Sequence, residues 1–313
     1  VALPDGACDA HAAELIGGLL GRCAFPPPGT AVTCGVSGGA DSLALLVLAV
    51  AAGCEVEAVH VDHGLRPGSA AEADVVAAAA ERFGARFRTV AVAVPDGPNL
   101  EARARAARLA ALGPGALTGH TADDRAETVL LNLIRGAGPA GMAGIARGAT
   151  KPLLDLRRAE TEALGAALDL VPVRDPSNDD PRFRRNRVRH ELLGLLASIG
   201  ERDPVPVLVR QADRFAELDA FVADRAAALD ATDARALAAA DPVLARAALR
   251  AWLLGAGVGD GHPLDGAAVD RALAVARGEA VACEVAGGWR VARSGGRLSV
   301  APPETWQDAR RDR

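Results

Sequence analysis

The sequence predicts an α/β fold: a doubly wound, mostly parallel sheet of Rossmann-like type, followed by a helical linker and a second, smaller α+β domain. Three observations carry this. Apolar β-branched runs alternate with helix-period runs from residue 31 to about residue 173, the pattern of parallel strands joined by crossover helices. A glycine-rich turn joins the first strand to the first helix of that series. Beyond about residue 206 the chain changes to long Ala-Leu-Arg helices and then a strand-turn-strand pattern.

Taken in order, Ala31-Val32-Thr33-Cys34-Gly35-Val36 reads as a buried strand over 32–36, and Leu43-Ala44-Leu45-Leu46-Val47-Leu48 begins a helix over 43–52. Further strands are predicted over 56–61, 87–94 and 116–118, with a short fifth near 170–173. Helices are predicted over 70–83, 100–112 and 124–134. A proline-bearing, arginine-rich segment over 175–190 reads as a connector. Helices over 214–229 and 242–254 follow, and the segment 282–300 reads as three short strands. The predicted organisation is one domain over 1–205, a small α+β domain over 206–303 and a polar tail over 304–313.

Composition narrows the function classes. The chain has 313 residues and is 50% apolar, enough for two cores rather than a disordered segment. No apolar run is long enough to cross a bilayer, and the first residues lack a basic-then-apolar leader pattern, so a cytoplasmic protein with no membrane role is expected. Cys8, Cys23, Cys34, Cys54 and Cys283 are scattered, with no Cys-x-x-Cys pair for zinc or an iron-sulfur cluster. Net charge is -5, which disfavours a nonspecific nucleic-acid binder. Lysine occurs only at Lys151, so arginine does nearly all the cationic work, and its planar fork suits phosphate.

The chemistry is concentrated in a few stretches. Ser37-Gly38-Gly39-Ala40-Asp41-Ser42 stands at the strand-to-helix turn. There Gly38 and Gly39 let backbone amides approach an anion, and the helix N-terminus attracts it. Ser37 and Ser42 add hydroxyls. Asp41 beside phosphates calls for a divalent cation, so Asp41 is the candidate magnesium ligand. A helix cap with a tight turn is the plainer alternative, but two adjacent glycines between serines and an acid exceed what a cap requires. The spacing fits neither Gly-x-x-x-x-Gly-Lys-Ser/Thr nor Gly-x-Gly-x-x-Gly.

After the second strand, Val61-Asp62-His63-Gly64-Leu65-Arg66 marks where a nucleotide base or ribose would be met, by backbone groups of His60 and Val61 and by nearby side chains such as His63. Taken alone, it reads more simply as a strand-to-loop exit. Gly119-His120-Thr121-Ala122-Asp123-Asp124-Arg125-Ala126-Glu127-Thr128 puts His120 on the same sheet edge as the glycine turn. Asp124 and Glu127, three apart, share a helix face. Arg105 and Arg108 also share a face. The loop Arg135-Gly136-Ala137-Gly138-Pro139-Ala140-Gly141-Met142-Ala143-Gly144 is too glycine-rich for a regular element. Arg182, Arg184, Arg185, Arg187, Arg189 and His190 form a cationic knot. It is either a solvated face or the attraction for a polyanion on a net-acidic chain.

The glycine turn resembles the Ser-Gly-Gly-x-Asp-Ser loop of N-type ATP pyrophosphatases. The ordered set is more specific. Ser37 to Ser42, Val61 to Arg66, Gly119 to Thr128, Arg135 to Gly144, Lys151-Pro152-Leu153-Leu154, Asp175-Pro176-Ser177-Asn178 and Arg185-Asn186-Arg187-Val188-Arg189-His190 resemble the tRNA(Ile)-lysidine synthetase family across most of residues 31 to 193. Arg125, Leu109 and Gly194 stand where that family usually has glutamine, tyrosine and proline.

The resemblance implies a PP-loop ATPase fold and ligation of L-lysine to the wobble cytidine of tRNA(Ile) with a CAU anticodon, with ATP and Mg2+ as cofactors. It implies catalytic roles for Asp41, Asp124, Glu127 and Arg105, an ATP cradle from Ser37 through Ser42 with His60, Val61, His63 and His120, and substrate contacts from Arg108, Arg185, Asn186 and Arg189. A homodimer is left open. Two rivals stay open: a tRNA thiolase, which the scattered cysteines do not support, and a noncatalytic ATP-binding module.

Overall fold

A computed structural model describes residues 3–4, 6–62, 69–93, 100–173, 175, 179–259 and 264–304. Contacts divide the chain into two compact units, residues 1–128 with 145–209, and residues 129–144 with 210–313.

The first unit is built on four parallel strands, β1 (Ala31–Gly35), β2 (Glu55–Asp62), β3 (Arg86–Ala91) and β4 (Leu117–Thr118), in the order β3-β2-β1-β4. Register runs Ala31 to Glu55 and Cys34 to Leu117 from β1, and Glu57 to Arg86 from β2. Its helices are α1 (Ala10–Leu20), α2 (Ala40–Ala51), α3 (Ser69–Phe83), α4 (Leu100–Leu112) and α5 (Ala122–Ile134), the last running past the unit's boundary. The short turn α6 (Pro139–Met142) belongs to the second unit, and α7 (Arg158–Ala167) returns to the first. Side chains alternate between the two faces of the sheet. Cys34, Val56 and Ala58 join α1, α2, α3 and α7 in the main core, while Val59 and Val61 pack with Leu112 of α4.

Helix α2 is buried on every side from Ser42 to Ala51, which explains a run with no polar face. Burial of each such leucine is worth about 1.5–3 kcal/mol. The Lys151-Pro152-Leu153-Leu154 motif also serves packing, since Leu153 and Leu154 are core residues. The order places β2 and β4 on either side of β1. The switch point therefore lies where the loops after β1 and β4 meet, the usual ligand crevice of such sheets.

The fifth strand predicted near 170–173 does not form. Val173 instead donates a single backbone hydrogen bond to the Gly38 carbonyl, at 2.9 Å, so this apolar run buttresses the glycine turn. The arginine knot is helical rather than a plain connector: α8 (Arg184–Arg187), a π turn (Val188–Leu192) and α9 (Leu193–Gly200). The glycine-rich loop carries one helical turn, α6, and Asn132 Nδ2 donates to the Gly141 carbonyl at 2.7 Å.

The second unit takes the distal part of α10 (Pro204–Ala226), with α11 (Ala234–Ala239), α12 (Pro242–Gly255) and α13 (Gly266–Arg277). Three antiparallel strands, β5 (Ala282–Glu284), β6 (Arg290–Ser294) and β7 (Arg297–Ala301), pair in sequence order. Gly295 and Gly296 join β6 to β7, both at positive φ, as a tight two-residue hairpin requires. Leu237, Leu249, Leu253, Leu273 and Val291 fill its core. Among the described residues no helix is long and apolar enough to cross a membrane.

Candidate active site

The glycine turn is shaped for an anion. Gly38 has φ +84°, and a Cβ there would lie 2.8 Å from Val173 Cγ2, so a side chain is refused on both backbone and steric grounds. Gly39 caps α2 without a side-chain hydrogen bond, leaving that N-terminus uncapped. Ser42 Oγ accepts from Ser37 N–H at 3.1 Å and donates to the Gly39 carbonyl at 2.8 Å, fixing the loop from within. Ser37 is exposed; Ala40 and Asp41 are half-buried.

Gly119, after β4, brings the second motif against the first. A Cβ on it would stand 2.6 Å from the Asp41 carbonyl oxygen. Two residues on, Thr121 donates both its N–H (2.9 Å) and its hydroxyl (3.0 Å) to Asp124 Oδ2 at the start of α5. The other oxygen, Asp124 Oδ1, accepts from Arg158 Nη2 at 3.1 Å and Arg185 Nη2 at 2.9 Å. Glu127 is 0% exposed. Its carboxylate accepts from Arg158 Nη1 (3.1 Å), Arg185 Nε (2.7 Å), and Arg189 Nε (2.7 Å) and Nη2 (3.2 Å).

Arg158 ties these acids to the phosphate loop, its Nε lying 3.5 Å from Asp41 Oδ2. Thr161, one turn along α7 and fully buried, donates its hydroxyl to Asp41 Oδ1. Arg158 is aimed by Asp123, whose Oδ2 accepts the Arg158 N–H at 2.8 Å while the carboxylate takes Arg157 in a two-pronged pair at 3.0 Å and 3.0 Å. The π turn lies within the segment that brings Arg185 and Arg189 onto Glu127, and such insertions recur at functional sites.

Burial raises the Asp41 carboxyl above its ordinary value, against the Thr161 hydrogen bond and the Arg158 charge. For Asp124 burial acts in the same sense, but Arg158 and Arg185 outweigh it and hold the group below the usual carboxylate range. Burial pushes His120 down to about 4, with Lys151, Arg105 and Arg185 reinforcing and Asp124 opposing. His120 Nδ1 is 2.8 Å from Thr118 Oγ1. Arg108 is lowered by burial and by Arg105, and Lys151 by burial and by both arginines. Arg105 and Lys151 thus add positive charge in the neighbourhood of His120, and Arg108 adds it in the neighbourhood of Arg105 and Lys151.

Of the residues singled out in the sequence, Asp41, Asp124, Glu127, Arg185 and Arg189 meet in one cluster, with His120 beside it. The side chains of three others lie outside that cluster. His60 is buried, its Nδ1 3.1 Å from the Val36 carbonyl; Val61 packs into the apolar layer with Leu112. Asn186 is buried and donates to the Asp180 carbonyl at 2.9 Å. His63 lies outside the described residues. The arginine knot is divided: Arg182 pairs with Asp180 at 2.6 Å and Arg187 with Glu191 at 2.9 Å, while Arg185 and Arg189 turn inward. Sequence reading missed Arg158, Thr161 and the Asp123–Arg157 clamp, whose only signal was a short Arg-Arg pair beyond a leucine motif.

Asp41 is the acid of the phosphate-loop motif, with Thr161 on Oδ1 and Arg158 near Oδ2, and among the described residues no group of three or more His, Cys, Asp or Glu side chains could hold a metal. An ion held mainly by substrate phosphates, the usual mode for Mg2+, would need no more than one carboxylate from the protein, and Asp41 would supply it.

The PP-loop domain family matches residues 19–196. The chain is 44% identical over 212 residues to the tRNA(Ile)-lysidine synthase of Nocardia farcinica, covering 64% of this chain and 67% of that protein. It is 44% identical over 199 residues to that of Rhodococcus erythropolis, covering 61% of each. With that of Salinispora tropica identity is 46% over 220 residues, covering 63% of this chain and 64% of the relative. The matches thus span about three fifths to two thirds of these relatives' lengths. Among solved structures, the U34-tRNA thiolase NcsA from Methanococcus maripaludis with its [4Fe-4S] cluster superposes with TM-score 0.50 at 19% identity, covering 66% of this chain and 79% of that one. That likeness is one of fold.

Proposed function

From the premise that the chain belongs to the PP-loop family and groups with the tRNA(Ile)-lysidine synthases, we propose that it uses ATP to join L-lysine to C2 of the wobble cytidine of tRNA(Ile) with a CAU anticodon. The observation that carries this reading is Arg158, one guanidinium in reach of the phosphate-loop acid Asp41 and of both helix acids, Asp124 and Glu127. A loop for pyrophosphate and a pair of carboxylates for an ammonium thereby share one site.

In the first step the cytidine C2 oxygen attacks the α-phosphate of ATP, and pyrophosphate leaves from the open N-terminus of α2 between Ser37 and Ser42. Asp41 would hold Mg2+ against the phosphates, and the ion would neutralise their charge. In the second step the lysine ε-amine attacks C2, and the C2–O bond breaks to release AMP. The amine has a solution pKa of about 10.4 and arrives protonated, so it needs acids to bind it and to take its proton. Asp124 and Glu127 fill that role. Asp124 keeps slight exposure and Glu127 none, and guanidinium groups stand on both. Arg105, Arg108 and Lys151 provide positive charge for the phosphates or the cytidine, and the second unit is the candidate for holding the tRNA body.

The test is pyrophosphate release from ATP with unmodified tRNA(Ile) and lysine each supplied or withheld, and labelled lysine followed onto RNA. Release that requires tRNA, with lysine retained on it, is expected, and Glu127→Gln should abolish incorporation. Release without tRNA would point to a small-molecule synthetase. Nucleotide binding without pyrophosphate release would point to the noncatalytic module.

A further inference from the structure

The acids proposed to receive lysine already have cations on them. Asp41, Asp124 and Glu127 carry three negative charges, and Arg158, Arg185 and Arg189 carry three positive ones, all within one hydrogen-bonded cluster. Asp124 Oδ2 is taken by Thr121 and Oδ1 by Arg158 and Arg185. Both Glu127 oxygens accept from guanidinium groups. A neutral cluster with its acceptors filled exerts little pull on an incoming ammonium. Nor can an arginine leave, because removing one partner of a buried ion pair strands the other charge at high cost.

The exchange becomes favourable only when the departing guanidinium finds another anion. The nearest place for one is the phosphate loop, since Arg158 Nε already lies 3.5 Å from Asp41 Oδ2. Guanidinium binds phosphate in the same forked geometry it uses on a carboxylate. We propose that Arg158, Arg185 and Arg189 are exchangeable counter-ions: ATP phosphates draw guanidinium off Asp124 and Glu127, and the lysine ammonium takes its place. Lysine and nucleotide then bind with positive coupling, and each tightens the other by the same factor. The cluster keeps free lysine out until a nucleotide is present. This rests on the reading that a lysine ammonium and ATP phosphates share the site.

The experiment measures equilibrium binding of L-lysine to the full 313-residue chain, without nucleotide and with saturating Mg2+ and α,β-methylene-ATP, which cannot be split at the bond in question. At least a tenfold tightening of lysine by the analogue is expected, with the analogue tightened by the same factor when lysine is saturating. Arg185→Gln, checked for an intact melting transition, should bind lysine without nucleotide more tightly than the parent and show less coupling. Norleucine, which lacks the ε-ammonium, should show no coupling. Equal lysine affinity with and without the analogue overturns the exchange while leaving the ligase reading intact, and so does equal coupling for norleucine. No lysine binding under any condition, tRNA included, overturns both.

Discussion

Replacing Glu127 with glutamine tests whether this carboxylate holds the site together. Glu127 is 0% exposed and meets Arg158, Arg185 and Arg189, whose side chains retain 19%, 32% and 24% exposure. The substitution keeps the shape, removes one charge from a balanced cluster, and turns one acceptor into an amide that faces a guanidinium N–H. Breaking a buried pair from one side costs about 3–5 kcal/mol. Asp124 and Asp41 continue to neutralise part of the arginine charge and the arginines are partly solvated, so the lower end applies, about 3 kcal/mol. For a unit of this size each kcal/mol moves Tm by about 2–4 °C, which gives a fall of about 6–12 °C. Scanning calorimetry reads it directly. Arg187→Gln serves as the control, since its pair with Glu191 lies on the exposed surface and its loss should leave Tm unmoved. A Glu127→Gln transition within about 2 °C of the parent would refute the reasoning, because the charge would then not be what binds the three arginines.

Three further outcomes follow from single contacts. Thr161→Val removes the hydroxyl that Asp41 accepts and should weaken MgATP binding by roughly tenfold, about 1.4 kcal/mol; Thr161→Ser should restore it, and equal weakening by both variants would count against the contact. Gly38→Ala puts a side chain at φ +84° and 2.8 Å from Val173 Cγ2, so it should cost about 1–2 kcal/mol of stability and abolish pyrophosphate release, measured on protein shown to be folded. His120 has its pKa pushed down to about 4 from 6.5 by burial, so its neutral form favours the fold. That contribution is complete above pH 6.5 and is lost as the pH falls from 6.5 toward 4. It amounts to roughly 2–3 kcal/mol after allowance for partial exposure. His120→Asn should remove that part of the acid destabilisation in denaturant melts compared between pH 7 and pH 4.5, and an unchanged difference would exclude His120 as its source.

The parallel sheet was legible because its strands announce themselves twice, by β-branched composition and by the crossover helices that must separate them. The short apolar run over 170–173 has the first mark and also follows a helix, yet it forms no strand. It lies beyond α7, forms one hydrogen bond to Gly38 and joins no ladder. The candidate acids were legible for a similar reason. Asp41 follows two glycines at a strand end, and Asp124 and Glu127 share a helix face after another strand end, so topology alone sends them to the same edge. His60 and Asn186 show what that logic leaves out: each lies in or beside a motif, and its side chain meets a backbone carbonyl of the protein, of Val36 and of Asp180.

Arg158 and Thr161 were not legible, and the reason is physical. Their roles depend on where the N-terminus of α7 is pinned, and that is decided by Asp123, 35 residues earlier, which accepts the Arg158 N–H and clamps Arg157. Local pattern carries no trace of such a contact. The inward turn of Arg185 and Arg189 is hidden in the same way, because a regular arginine-rich helix and one interrupted by a π turn read alike until the partner acids are in place. A run of like charge on a net-acidic chain suggests an outward surface for a polyanion. Here Glu127 turns two members of that run inward, where Arg185 and Arg189 meet carboxylates.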